Sequence, residues 1–279
     1  MRALFLSPGT AARQLQIFPA VAALAEQLKA QVQVCCSPQV GGWWSLLPAV
    51  EKVIPFPFSS ASLADWTNLL GSVREPDFQV VINLARGTQL DLMLSMSHIP
   101  RRVALAGFSA TDIVTLDPGW PAQAMEAFLR PIGVKLDADG FRLALPPADL
   151  EAAARLLPSG SGPLLLLARS GAADDWPATQ WSELPARIRT RLPDLRVMET
   201  SASTQAGRPR QLAAGLAGAD VVLASDPVSV ELALLFGLPL VALGPSSPLP
   251  DRQGVRGVGS PGGMSAVGSE AVLAALGFS

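Results

Sequence analysis

The sequence predicts an α/β fold of two doubly wound domains, each a parallel sheet with helices on both faces. Three observations predict it. Short, almost wholly apolar runs such as ALFL, QVVINL and PLLLLA alternate with helical stretches, and parallel strands buried on both faces read this way. The alternation begins at residue 3 and begins afresh at about residue 163. The length of 279 residues suits two domains of about 100–200 residues each.

The elements follow in order. ALFL (3–6) is a buried strand, SPGT a turn, and the next helix runs to about residue 29 with Leu15, Phe18, Val21, Leu24 and Leu28 at helical spacing. QVQVCC is the second strand and EKVIPFPF a short one ended by its prolines. Residues 65–73 suit a helix, FQVVINL (78–84) a strand, TQLDLMLSMSH a helix and RRVALAGF a strand. A helix is expected over about 121–132. The first domain is therefore 1–145, and PPADLEAAARLLPSGSG, one helix flanked by Pro, Ser and Gly, makes 146–162 a linker region.

The second domain, 163–279, repeats the pattern. PLLLLAR is a strand and WPATQWSELPARIRTRL a helix opened by its proline. LRVMET, DVVLAS and LPLVALG are strands, separated by the helices RPRQLAAGLAGA and PVSVELALLFG, the latter closed by Gly237. Residues 251–264 are Gly-rich and read as a flexible loop, and SEAVLAALGF is a terminal helix. In doubly wound sheets ligands bind beyond the carboxyl ends of the strands, which selects the loops 7–13, 83–89, 169–177, 200–208, 225–230 and 244–250.

Composition narrows the function. Hydrophobic residues make up 49% and charged residues 16%, yet no apolar run approaches the roughly 18 residues of a membrane span. The opening MRALFLSPG has an apolar core too short for a signal peptide. The only cysteines, Cys35 and Cys36, are adjacent, which fits no metal spacing and reads as a strand end in a reducing cytosol. A net charge of −2 gives no general pull on nucleic acid or anionic membrane. The one histidine, His98, reads as a helix-end residue with no G-x-S-x-G pattern near it, and GVRGVGSPGG is Gly-rich but follows no expected strand.

Several segments, in the right order and spacing, resemble one family. They are RALFLSPGTAARQLQIFPAVAALAEQL, PDFQVVINLARGTQLDLMLSMSHIPRRVALAGF, RPIGVKLDADGFRLALP, DDWPATQWSELPARI, and LAAGLAGADVVLASDPVSVELALLFGLPLVALGPSSP. Together they cover nearly the whole chain and resemble glycosyltransferase family 9, the ADP-heptose:lipopolysaccharide heptosyltransferases and their relatives. The resemblance implies the GT-B fold, with the two Rossmann-like domains facing across a cleft, the first on the acceptor side and the second on the nucleotide-sugar side. It implies inverting transfer of a sugar from a nucleotide diphosphate to a glycan or lipid-linked acceptor. That chemistry calls for a base with a suitable pKa, cationic or N–H groups for the leaving diphosphate, and a helix N-terminus facing it. It calls for no metal, no resident cofactor and no nucleic acid. It also implies a cytoplasmic protein, with membrane contact at most peripheral at the inner face.

Residue by residue, the resemblance weakens where charge matters. The family's base, six residues before the proline of its PAL helix, falls on Arg13, and arginine keeps its proton. Arg13 reads as a surface helix residue or an anion contact. The family's phosphate-binding lysine falls on Asp174, beside Asp175. One like-charge pair at about 4 Å costs on the order of 4 kcal/mol at an effective dielectric of about 20. Arg169 offers compensation, while Asp174 and Asp175 read as caps of the helix that follows. In the signature D-S-G-P-x-H, Asp226 is kept, Pro227 and Val228 replace the small residues, and Glu231 stands for the histidine. Asp226 also reads as a helix cap. GPSSP is intact, so Arg169, Asp226, Gly244 and Ser246 are the donor-site candidates. Arg101 and Arg102 match a structural arginine pair, and Asp112 or Asp117 could replace the missing base. Two readings stay open: a glycosyltransferase with altered or lost catalysis, or a non-catalytic GT-B binding or scaffold protein with a protein partner.

Overall fold

The computed structural model describes residues 1–201 and 207–278 and divides the chain into two compact units, Met1–Phe141 and Arg142–Ser279. The expected loop 200–208 lies partly outside the described residues.

The first unit opens with β1 (Arg2–Ser7), α1 (Ala11–Leu15), α2 (Phe18–Leu28) and β2 (Gln31–Cys36). The single helix expected up to about residue 29 is thus two helices. Pro19 lacks an N–H to bond the preceding turn, so it sits in the first turn of a new helix. Lys29 closes α2 in the left-handed conformation, φ 49°. A 3₁₀ segment, Pro38–Leu46, leads to β3 (Val50–Pro55) and α3 (Leu63–Arg74). Then come β4 (Val80–Asn83), α4 (Thr88–Met96), β5 (Arg101–Ala104) and β6 (Asp112–Ile113). The helix expected over 121–132 is also broken, into α5 (Pro121–Ala124), α6 (Glu126–Leu129) and a 3₁₀ turn that Gly133 ends at φ 75°.

The strands form one parallel sheet in the order β3-β2-β1-β4-β5-β6. The order reverses between β1 and β4, which makes the carboxyl ends of those two strands the switch point of a doubly wound fold. Leu4 and Leu6 of β1 and Val81 of β4 pack with Leu90 and Met93 of α4 and Leu69 and Val73 of α3. Buried on both faces, the strands have no use for polar alternation, which is why they read as continuous apolar runs. Cys35 and Cys36 are buried free thiols. Burial and the Cys36 sulfur hold Cys35 far above the ordinary thiol value, and burial pushes Cys36 up to about 11, so neither is a ready nucleophile.

The second unit contains α7 (Pro147–Ala154), β7 (Leu164–Arg169), α8 (Ala178–Arg189), β8 (Arg196–Ser201), α9 (Pro209–Ala217) and β9 (Val221–Ala224). It continues with α10 (Pro227–Phe236), β10 (Leu240–Leu243), β11 (Val255–Val258) and α11 (Ser269–Ala275). Helix α7, in the segment read as a linker, lies within this unit and is tied to α9 by the Asp149–Arg210 ion pair at 2.6 Å. The sheet is parallel, in the order β11-β10-β9-β7-β8, and its order reverses at β7 and β9.

The Gly-rich stretch 251–264 is not simply a flexible loop. Val255–Val258 pairs residue for residue with Leu240–Leu243 as the edge strand. Its pattern escaped the sequence because only its first and last residues are partly buried and a glycine stands between them. One face of the sheet packs Leu165, Leu167, Leu223, Val241 and Leu243 against Trp176, Trp181, Leu184 and Ile188. The two indoles meet edge to face with centroids 5.2 Å apart, and Trp176 Nε1 donates to the Val267 carbonyl at 2.8 Å. Such a pair adds about 0.5–1.5 kcal/mol beyond the area it buries.

Candidate functional site

The candidate residues of the second unit, Arg169, Asp226, Gly244 and Ser246, lie at the carboxyl ends of β7, β9 and β10. Backbone and side-chain bonds lock the first two loops together. Ser225 and Asp226 donate their N–H groups to the Ala168 carbonyl at 2.9 and 3.3 Å. Ser170 N–H donates to Ser225 Oγ at 2.9 Å, and Ala172 N–H to Ser170 Oγ at 3.2 Å. The switch point is thus a fixed framework rather than two independent loops.

Arg169 ends β7. Its guanidinium carbon stands 5.9 Å from the centroid of Trp181, whose indole is 1% exposed. Among the described residues no carboxylate pairs with Arg169. Asp226 is 4% exposed and caps α10: its Oδ2 accepts from Ser229 N–H at 2.8 Å and Ser229 Oγ at 2.6 Å. Its carboxylate is therefore engaged by the helix. Glu231, one turn further on, is 6% exposed and lies inside α10 rather than at its mouth.

The acidic loop before α8 behaves differently from a pair of helix caps. The N-cap of α8 is Pro177, with no side-chain cap bond. Asp175 instead folds back into its own loop, accepting from Gly171 N–H at 3.0 Å and Trp176 N–H at 2.7 Å. Partial burial pushes its pKa up, but bonds from Ser225, the Gly171 N–H, Ser170 and the Trp176 N–H outweigh that and hold it below the ordinary carboxylate value. Asp174 is exposed. The loop after β10 starts at Gly244, φ 55°, whose N–H donates to Val258 at 2.8 Å, and it exposes Ser246.

In the first unit, Arg13 lies in α1. Its N–H donates to the N-cap Thr10 Oγ1 at 3.4 Å and its Nη1 to Gln16 Oε1 at 3.0 Å. Its stem packs over Gly9, where φ is 113° and an added Cβ would lie 3.3 Å from Arg13 Cγ. A buried network that sequence reasoning missed braces this loop: Gln14 Nε2 donates to the Ser7 carbonyl and Trp44 Nε1 to Gln14 Oε1, both at 3.1 Å. Polar residues at core positions of α1 were the available signal.

The two substitute bases are both in ion pairs. Arg101 donates to Asp112 at 3.1 and 3.2 Å, and this bond holds the aspartate below its ordinary pKa. Arg130 pairs with Asp117 at 3.1 Å. Arg102 bonds the Ser109 and Ile99 carbonyls at 2.5 Å, a structural duty. Asp91, a residue not singled out from the sequence, accepts from Ser109 Oγ at 2.5 Å, and a Cβ on Gly107 would strike it. It ties α4 to the loop after β5. His98 follows α4 in the left-handed conformation, φ 64°, 2.5 Å from Arg74 Nη2.

Among the described residues no cluster of three or more His, Cys, Asp or Glu could hold a metal, and no helix is long and apolar enough to cross a membrane. A cavity of about 490 Å³ between α7, β8 and α9 includes none of Arg169, Asp226, Gly244 and Ser246. It is lined by Leu157, Leu166, Met198 and Leu212 and also by Thr200, Arg208 and Arg210, the last paired with Asp149.

No family model and no curated protein matches the chain. Solved structures do. A glycosyltransferase family 9 protein from Veillonella parvula superposes with a TM-score of 0.77 at 14% identity, covering 99% of this chain and 96% of its own. ADP-heptose lps heptosyltransferase II from E. coli gives 0.73 at 15%, covering 99% and 98%. E. coli heptosyltransferase WaaC with ADP-2-deoxy-2-fluoro heptose gives 0.72 at 17%, covering 99% of both chains. At these identities the likeness is one of fold. The chain has the α/β, GT-B fold of the family that its sequence resembles.

Proposed function

We propose that this chain is a family 9-like glycosyltransferase in descent, that its second unit binds a nucleotide-sugar donor, and that its chemistry has departed from the family's. The observation that carries the reading is the end-to-end fold likeness to the heptosyltransferases, one of them described with an ADP-sugar analogue. Two features of the second unit support donor binding: the β7/β9 switch point is braced, and the Gly244–Ser246 turn is open to solvent. The acceptor on this reading is a glycan or a lipid-linked glycan.

The departure rests on the first unit. Position 13 holds a permanent cation, and Asp112 and Asp117 are ion-paired. A carboxylate engaged as Asp112 is by Arg101 is a weak base, because taking up a proton would forfeit the pair. This favours a second reading in which donor binding persists without transfer.

Calorimetric titration of the whole protein with ADP, UDP, GDP and ADP-heptose at low salt tests the proposal. Micromolar binding of one nucleotide supports it and names the donor class. No heat from a folded sample sinks the donor reading. Incubating the bound donor with glycan acceptors then separates the two readings, since turnover argues for altered catalysis and its absence for a binder.

A further inference from the structure

A diphosphate brought to the carboxyl ends of the second sheet needs positive charge close by, and the sequence there is nearly bare of it. Residues 170–177, 225–230 and 244–250 contain three aspartates and no Lys or Arg. Asp175 and Asp226 spend their oxygens on N–H and hydroxyl groups of their own loops, so their charge is partly met from within. Of the cations at the carboxyl ends of this sheet, Arg208 closes the loop after β8 and lines the separate cavity between α7, β8 and α9, whereas Arg169 stands at the β7/β9 switch point, where among the described residues it has no carboxylate partner.

Its setting suits a ligand. Trp181 is buried in the core of the unit, so its indole is a rigid surface for the guanidinium. An aromatic face orients a cation without neutralising it, whereas a carboxylate would do both. The Trp181 Nε1 is buried and has no hydrogen-bond partner among the described residues, so packing holds the ring.

We propose that Arg169, standing on Trp181, binds the diphosphate of the donor and takes over the charge that Asp174 cannot supply. The proposal rests on the donor reading above. The planar guanidinium offers two parallel N–H donors to phosphate oxygens, which an ammonium at the same place does not.

The test compares adenosine, AMP and ADP, and the uridine and guanosine series, on the wild type, Arg169→Met and Arg169→Lys. Methionine keeps an apolar stem on the indole without the charge. The wild type is expected to bind its diphosphate at least tenfold tighter than its nucleoside, with that margin shrinking as salt rises. Arg169→Met is expected to bind the nucleoside as the wild type does and to lose the margin, and Arg169→Lys to recover only part of it. If the folded wild type binds no nucleotide, the donor reading itself fails. If the wild type binds a diphosphate and Arg169→Met binds it equally well, Arg169 is overturned while the donor reading stands. Equal loss of nucleoside and diphosphate in a variant of unchanged melting temperature also overturns it, because the arginine would then shape the site rather than hold phosphate.

Discussion

A single carboxylate can look like a ligand contact in the sequence and prove to be a brace in the fold. Asp226 stands where the family signature has its aspartate, yet both bonds of its Oδ2 go to Ser229 in the first turn of α10. Replacing an N-cap by alanine costs about 0.5–2 kcal/mol, and burial puts Asp226→Ala toward the upper end. Asp226→Asn keeps an acceptor oxygen and is expected to lose much less. Urea unfolding of both variants checks this; equal losses would mean that the charge, not the cap, matters. Asp175 gives the matching case in pH. Its folded pKa lies below the ordinary value of about 3.9, so the ionised form favours the fold. The stabilisation is complete above that value and is lost as pH falls through the lowered folded pKa. Asp175→Asn is expected to flatten this part of the acid-stability curve, and an unchanged slope would refute the bracing role. The sequence places such residues at strand ends correctly. It does not say which way a carboxylate turns, because that depends on N–H groups left free within its own loop, as with Gly171.

At the level of elements, the turn that follows β10 carries the candidate Ser246 on a glycine that needs to be glycine. Gly244 has φ 55°, and an added Cβ would lie 2.7 Å from Met264 Sδ. The methionine can swing aside, so the main cost of Gly244→Ala is the left-handed backbone, about 1–2 kcal/mol. A lowered denaturation midpoint with unchanged m-value is the expected result; an unaltered midpoint would mean that the turn relaxes freely. Elements with strong apolar runs, such as β1, β4, β7 and β10, are legible in the sequence because burial on both faces leaves no competing reading. The edge elements are not. The two-residue β6 and the Gly-containing β11 owe their strand state to the neighbour they pair with, which no local pattern records. The breaks at Pro19 and within 121–132 were hidden for a related reason: apolar spacing runs on through them while the backbone does not.

The molecule as a whole consists of two units, each with its own parallel sheet. That much is legible in the restart of the strand-helix alternation near residue 163. The strand order is not, since it depends on which way each crossover travels. The division has a thermodynamic consequence for the donor reading. A ligand held by the loops of one sheet stabilises the states in which that sheet is intact, by RT ln(1 + [L]/Kd), about 2.7 kcal/mol at a hundredfold excess over Kd. Hydrogen exchange resolves where that energy goes. A nucleotide diphosphate at this excess is expected to slow amide exchange in β7, β9 and β10, and to leave β3, the edge strand two places from the switch point of the other sheet, unchanged. Protection confined to the first unit would place the nucleotide there and contradict donor binding in the second. Equal protection of β3 and β9 would mean that the chain opens only as one cooperative body, so that the restart in the sequence marks a boundary in fold but none in stability.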